Sequence, residues 1–236
     1  MPIYRGGFIS KLIPTFHADN SQQDSIRVIK LGHFREGLSL LFDGDHPGLA
    51  AKTHLADARR LVSDYQAMSA EQFAVQAQIL AFVDSHSNAL WRTCETGHLT
   101  GSAVVFDAMG ARTLLMAHKK LRRWLQPGGH ADGDANLARV AWREATEETG
   151  IADLKVYPRP IDLDIHWVET AKEPGHNHLD VRFLVVAPPE AVAVGNHESH
   201  GLAWVDLADI ANPRWALDEG TLRLVESATA AFHRLG

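Results

Sequence analysis

The spacing of apolar positions changes along the chain and divides it into a helical part and a strand-rich part. Over residues 48–66, Leu55, Ala58, Leu61 and Val62 recur at helical spacing and predict a helix. "SAEQFAVQAQILAFVDSH" predicts a better one, with Val75, Ile79, Phe82 and Val83 in one stripe. Its start, Ser69 with Gln72, reads as a capping box. From His98 the period shortens. "LTGSAVVFDA" and "ARTLLMAHK" flank "AMGA" and predict a β-hairpin. "RRWLQPGG" reads as a short strand or extended arm that ends at Pro127 and two glycines. "LKVYPRPIDLDIHWVET", "LDVRFLVVAP" and "GLAWVDLADI" supply more strands, and a last helix over residues 219–234 places Leu222, Val225, Ala228 and Phe232 on one face. Residues 1–45 lack sustained periodicity, and "FDGDHPG" reads as a loop. Mixed short strands with two helices predict an α/β sandwich, one helix on each side of a sheet.

One predicted helix breaks its own pattern. In "GGHADGDANLARVAWREATEETGI", a helix starting near Asp134 or Ala135, with Asp134 as N-cap, puts Leu137, Val140 and Ala141 on one face. Glu144 continues that face, and Glu147 and Glu148 lie beside it at i+3 and i+4. Like charges at this spacing repel by a few tenths of a kcal/mol, and the negative helix end adds to the cost. Arg143 offsets one charge, whereas a divalent cation offsets all three; oxygen ligands at this density suit Mg²⁺ or Mn²⁺ rather than Zn²⁺. The alternative is a solvated acidic helix end. Gly150 followed by Ile151 reads as the helix stop, and Gly128–Gly129 lets the backbone approach closely before the helix.

Composition narrows the class. The chain has 236 residues, enough for one domain with a core plus an extra segment, and a net charge of −6 argues against a general nucleic-acid binder. The single cysteine, Cys94, permits no intramolecular disulfide and fits a reducing cytoplasm. No apolar run approaches the roughly 18–20 residues of a membrane span, and "MPIYRGGFISKLIP" has no signal-peptide character. Met68, just before the capped helix, leaves two readings of residues 1–67 open: that they are not part of the native protein, or that they are an N-terminal helical appendage.

The stretch from Gly129 to Ile151 resembles the Nudix box: a glycine, five residues, a glutamate, seven residues, then R-E-U-x-E-E-x-G-U with U bulky and aliphatic. "REATEETGI" matches its second half at the right distance from Gly129, with Ala145 a small residue in a U position. The first box glutamate falls on Ala135, and Asp132 or Asp134 are the neighbours that stand in for it. The resemblance covers residues 95–236 and leaves 1–94 as a partly helical extension. It implies a Nudix-type α/β/α sandwich with a mixed sheet.

That resemblance also implies Mg²⁺-dependent hydrolysis of a diphosphate bond in a nucleoside-diphosphate-linked small molecule, with Mn²⁺ a substitute metal. Glu144, Glu147 and Glu148 would be the metal ligands, Arg143 would orient a glutamate, and Gly129 with His130 would lie against the cofactor. The base that takes the water proton is one of Glu144, Glu148 and Glu198, the last in "GNHESHG". A homodimer is the default the family carries.

Three rivals stand beside this reading, one of them an interaction protein whose functional part is residues 1–94. A non-catalytic nucleotide-binding Nudix module is motivated by Ala135. An isopentenyl-diphosphate isomerase-like enzyme is motivated by His98, His130, His178 and Asp180, which together offer a second metal site. The isomerase needs a cysteine where this chain has Gly128. His118, His166, His176, His197 and His200 read as surface or loop polarity.

Overall fold

The computed structural model describes residues 39–119, 123–169, 174–196 and 199–235. The aperiodic segment up to residue 38 and the candidate base Glu198 lie outside the described residues. The helices are α1 (Leu55–Ser63), α2 (Ala70–Ser85), α3 (Leu137–Thr149) and α4 (Glu219–Leu235). The strands are β1 (Gly97–Phe106), β2 (Arg112–His118), β3 (Arg123–Leu125), β4 (Gly128–His130), β5 (Lys155–Val156), β6 (Asp162–Val168), β7 (His176–Val186) and β8 (Ser199–Asp206).

All eight strands join one mixed sheet. Its spine is the parallel pair β1–β7, in register from Gly97↔Asn177 to Phe106↔Val186. The remaining pairings are antiparallel. Two strands share the same edge of β1: β2 pairs with it only at Val105 and Phe106, and β4 only at residues 100–102. β1 and β2 therefore diverge beyond their hairpin, and β4 lies in the gap.

Strand alternation sorts the core onto two faces. Leu99, Ala103 and Val105 of β1, with Leu179, Val181, Phe183 and Val185 of β7, pack with α1, α2 and α3. Val104 and Phe106, with Leu184 and Val186, pack under Leu224, Val225, Ala228 and Phe232 of α4. The expected sandwich is present, but with three helices on one face rather than one. Leu224 rather than Leu222 leads the buried stripe of α4, and Leu222 is half-buried.

Leu49, Ala58, Val62, Ile79 and Val83 belong to the same core cluster as the sheet. Burying one such large side chain contributes ~1.5–3 kcal/mol. Ser69 caps α2 by accepting from the Gln72 N–H, but Gln72 does not close the box. Its amide accepts from the Tyr65 hydroxyl and donates to the Leu163 carbonyl of β6.

The face under α4 changes character halfway along. Beyond Val104 and Leu184 the residues at the same alternation are Ser102, Thr100 and His98 on β1, and Arg182, Asp180, His178 and His176 on β7. All but His178 are buried. Asp162, Asp164 and His166 of β6 stand opposite Arg182, Asp180 and His178. This polar half-face is the floor of a cleft.

Candidate active site

The cleft has a volume of about 820 Å³ and opens between α3, β4, β6 and the start of α4. That is the size of a small-molecule site. Helix α3 delivers its acids. It begins two residues later than expected: Asn136 rather than Asp134 is the N-cap and accepts from the Arg139 N–H. Asp134, the expected cap, instead binds the Lys52 and Asn136 N–H groups and the Arg139 guanidinium. Asp132 is paired twice with Arg92. Both aspartates near Ala135 thus bond to partners outside the α3 carboxylates, though each still feels the charge of Arg143. Ala135 itself is buried and donates its N–H to the Lys52 carbonyl. At the other end Gly150, at φ 65°, closes the helix with its N–H on the Thr146 carbonyl. A side chain there would be strained.

Glu144 and Glu148 line the cleft, one turn apart. Arg143 grips Glu144 at 2.6 Å and also donates to the His130 carbonyl. Glu148, 3% exposed, accepts the Gly128 N–H at 3.1 Å. Glu147 is exposed and outside the cleft lining. Gly129 is glycine for a spatial reason: a Cβ there would sit 2.5 Å from the Glu144 carboxylate. His130 lines the cleft beside it. Five of the seven sequence-derived site residues therefore converge here, Arg143 through its bonds to two of the others. Glu147 points outward and Glu198 is outside the described residues.

The cleft floor holds an ionic network that the sequence reading missed. Arg182 is buried and binds Asp180, Asp162 and Asp164, at 2.8, 3.1 and 2.9 Å, and the Gly220 carbonyl. Arg223 of α4 binds Asp162 and Asp164 from the other side. Thr100 and Ser102 donate their hydroxyls to Asp180. Burial works to lower the Arg182 pKa, but Asp180, Asp164 and Asp162 hold it above its ordinary value. Burial raises Asp162 against its two arginines, whereas His166, Arg182 and Arg223 hold Asp164 below its ordinary value despite burial. Asp180, expected among metal ligands, is thus bound to Arg182 and two hydroxyls.

A second group lies next to these carboxylates. The ligand atoms of His98, His130, His176 and His178 all lie within 4.8 Å of one another. His98 is part of β1 rather than before it, and His176 begins β7 rather than lying in a loop. Burial first, then Arg92 and His98, pushes His130 down to about 4; burial, His130 and His166 push His178 down to about 2. Burial and His176 also lower His98. His166 lines the cleft and bonds Asp164 at 3.0 Å.

The NUDIX domain family model matches residues 98–225, more than half of the chain, and this protein belongs to the Nudix family. The chain is similar to the Ap4A hydrolase of C. elegans in a binary complex, at 19% identity over 56% of this chain and 95% of that one, with a TM-score of 0.45. It is also similar to a Nudix-family hydrolase from Clostridium perfringens, at 22% identity over 59% and 98%, TM-score 0.43. A third likeness is to the Nudix domain of Shewanella oneidensis NrtR complexed with ADP ribose, at 20% identity over 59% and 90%, TM-score 0.42. No curated protein matches the chain. Among the described residues no helix is long and apolar enough to cross a membrane.

Proposed function

We propose that the cleft hydrolyses a diphosphate bond in a nucleoside-diphosphate-linked small molecule, with Mg²⁺ held by Glu144 and Glu148. The observation that carries this is the donor set: Glu144 and Glu148 share one helix face in a cleft, and Gly129 has no side chain to crowd the Glu144 carboxylate. Hard carboxylate oxygens suit Mg²⁺ or Mn²⁺. Bound there, the cation would neutralise phosphate oxygens and make water more acidic.

The chain's own groups do the rest. Arg143 fixes the Glu144 carboxylate by a charge-assisted bond, so it cannot swing into solvent. The Gly128 N–H fixes Glu148 in the same way. The water proton passes to Glu144, Glu148 or Glu198. Arg92 and Arg123 also line the cleft and turn positive charge toward an anionic substrate, with Asp132 and Asp218 offsetting part of it. Trp167, 61% exposed on the same lining, offers a flat surface for a nucleobase. This reading is favoured over the binding module because Arg143, Glu144 and Glu148 are all in place.

The test is phosphate release from a panel of nucleoside-diphosphate conjugates through a coupled phosphatase, with Mg²⁺ and with EDTA. Glu148→Gln is the control. Turnover that needs both Mg²⁺ and Glu148 supports the proposal. Silence across the panel from folded protein overturns it.

A further inference from the structure

We propose that His98, His130, His176 and His178 form a binding site for one divalent transition-metal ion of the zinc type, beneath and separate from the carboxylate site. The residues come from three strands: His98 from β1, His130 from the end of β4, and His176 and His178 from β7. Their rings ring a common centre. His98 lies 4.9, 4.7 and 5.2 Å from His130, His176 and His178 between ring centroids, and His178 lies 4.9 and 5.0 Å from His130 and His176.

The hydrogen-bond arithmetic of the cluster does not close without a cation. His176 Nδ1 lies 2.8 Å from the Pro174 carbonyl, which can only accept, so this nitrogen carries the proton of the neutral ring. Its Nε2 is then a lone pair, and it faces His178 Nε2 at 3.1 Å. His178 Nε2 also faces His130 Nε2 at 3.2 Å. One ring nitrogen has one in-plane site, either a proton or a lone pair, so it can satisfy only one of these two contacts. His98 has it worse: it is 3% exposed, the Cys94 carbonyl near it is not in hydrogen-bond geometry, and neither ring nitrogen has a well-formed partner. Buried polar atoms of this kind call for a partner.

A tetrahedral ion supplies one partner to each ring. Metal–nitrogen bonds of about 2.0–2.1 Å put neighbouring ligand nitrogens about 3.3 Å apart and the ring centres about 5 Å apart. The two observed Nε2–Nε2 distances, 3.1 and 3.2 Å, lie near that edge. The five centroid distances, 4.7–5.2 Å, match as well. Four imidazoles and no carboxylate select a borderline ion over Mg²⁺. His176 already has an outer partner in the Pro174 carbonyl, which fixes its tautomer for ligation through Nε2.

The ion would tie β4 to β1 and β7. That strand carries Gly128 and Gly129, which meet Glu148 and Glu144. The four-histidine site thus positions the backbone against which the acids rest. It does not depend on the hydrolytic reading, because its ligands exclude the α3 carboxylates.

The test uses the full chain stripped by a chelator and titrated with Co²⁺, followed by absorption spectroscopy. A tetrahedral site gives visible ligand-field bands that saturate at one equivalent and are displaced by Zn²⁺ but not by excess Mg²⁺. Metal analysis of protein purified without chelator checks the same stoichiometry. His98→Gln and His176→Gln should each abolish the bands, and Glu148→Gln should keep them. No stoichiometric uptake by the wild-type chain overturns the proposal, whatever the variants do. So does a Glu148→Gln protein that loses the bands while His98→Gln keeps them. The spectral and metal-analysis readouts do not measure diphosphate turnover, so the two proposals fail separately.

Discussion

The Glu148 carboxylate accepts the backbone N–H of Gly128, bridging helix α3 to a strand twenty residues earlier in the chain. This bond aims a buried acid into the cleft instead of leaving it on a solvated helix end. Glu148→Gln keeps an oxygen for the Gly128 N–H but removes the charge. We expect kcat to fall by roughly 100-fold or more, several kcal/mol of lost charge stabilisation, with little change in the unfolding midpoint. Glu147→Gln, on the exposed side, should cost less. Steady-state kinetics over a Mg²⁺ series with thermal unfolding checks both. Equal losses in the two variants would move the metal outward along the helix.

Gly129→Ala probes the same contact from the strand. Its Cβ would lie 2.5 Å from the Glu144 carboxylate, which is the end of a side chain and can move. The variant should therefore fold. Moving the carboxylate breaks its 2.6 Å bond with Arg143, so the Mg²⁺ concentration for half-maximal activity should rise. Activity against Mg²⁺, measured in parallel with circular dichroism, checks this. Unchanged metal dependence would show that Glu144 is not a ligand.

The box and most elements were legible in the sequence because they rest on local rules. The α3 stripe, its glycine stop, the hairpin and the α4 face each follow from spacing within one segment. The cleft floor was less so. β7 was read from Leu179 onward, because no apolar residue precedes it at strand spacing. Yet the ladder continues to His176 through Val168 of β6. The alternation His176, His178, Asp180, Arg182, interleaved with Leu179 and Val181, was the available signal for a strand with one polar face. Pairing with Asp162, Asp164 and Arg223 depends on register between distant segments, which no single window carries. The N-cap was misplaced for a similar reason: Asp134 has the right chemistry, but Lys52 and Arg139 claim its oxygens.

Asp107 closes the β1–β2 hairpin. Its carboxylate accepts from the Ala111 N–H at 2.9 Å and from Arg112 Nε at 2.8 Å. Burial alone would raise its pKa, but these bonds outweigh burial and hold it below the ordinary value. A depressed folded pKa adds stability above the unfolded pKa of about 3.9, and the gain is lost as pH falls through the folded value. Asp107→Ala should cost about 1–2 kcal/mol at neutral pH. The difference from wild type should shrink below the ordinary carboxylate range. Urea unfolding of both proteins across the acid range checks the sign, and a constant difference would place the cost elsewhere.

Deleting residues 1–67 tests whether that segment is needed. The Asn136 amide donates to the Gly48 and Ala50 carbonyls at 2.9 Å each, and Ala135 donates to Lys52. Phe42 pairs with Val156 of β5, and Leu49, Ala58 and Val62 are core residues. The shortened chain loses these bonds at the very start of α3. We expect a lower unfolding midpoint and a loss of turnover, read by calorimetry and the phosphate-release assay. A shortened chain with full stability and rate would show that residues 1–67 contribute nothing to the site.

Trp167 is where substrate choice is most open to measurement. It lies on β6, 61% exposed, on the cleft lining, and its indole N–H lies 3.5 Å from the Glu169 carboxylate. The side chain is thus largely free of packing on the face it presents. Base stacking on an aromatic ring is worth roughly 1–3 kcal/mol, which is about 5- to 150-fold in affinity. A contact made equally in the ground and transition states changes KM and leaves kcat alone. Trp167→Ala should therefore raise KM within that range for nucleotide conjugates with kcat nearly constant, and Trp167→Phe should recover most of the loss. A diphosphate lacking a base should show no KM change. If KM for the base-free compound rises as much, the tryptophan holds the diphosphate end and the base binds elsewhere.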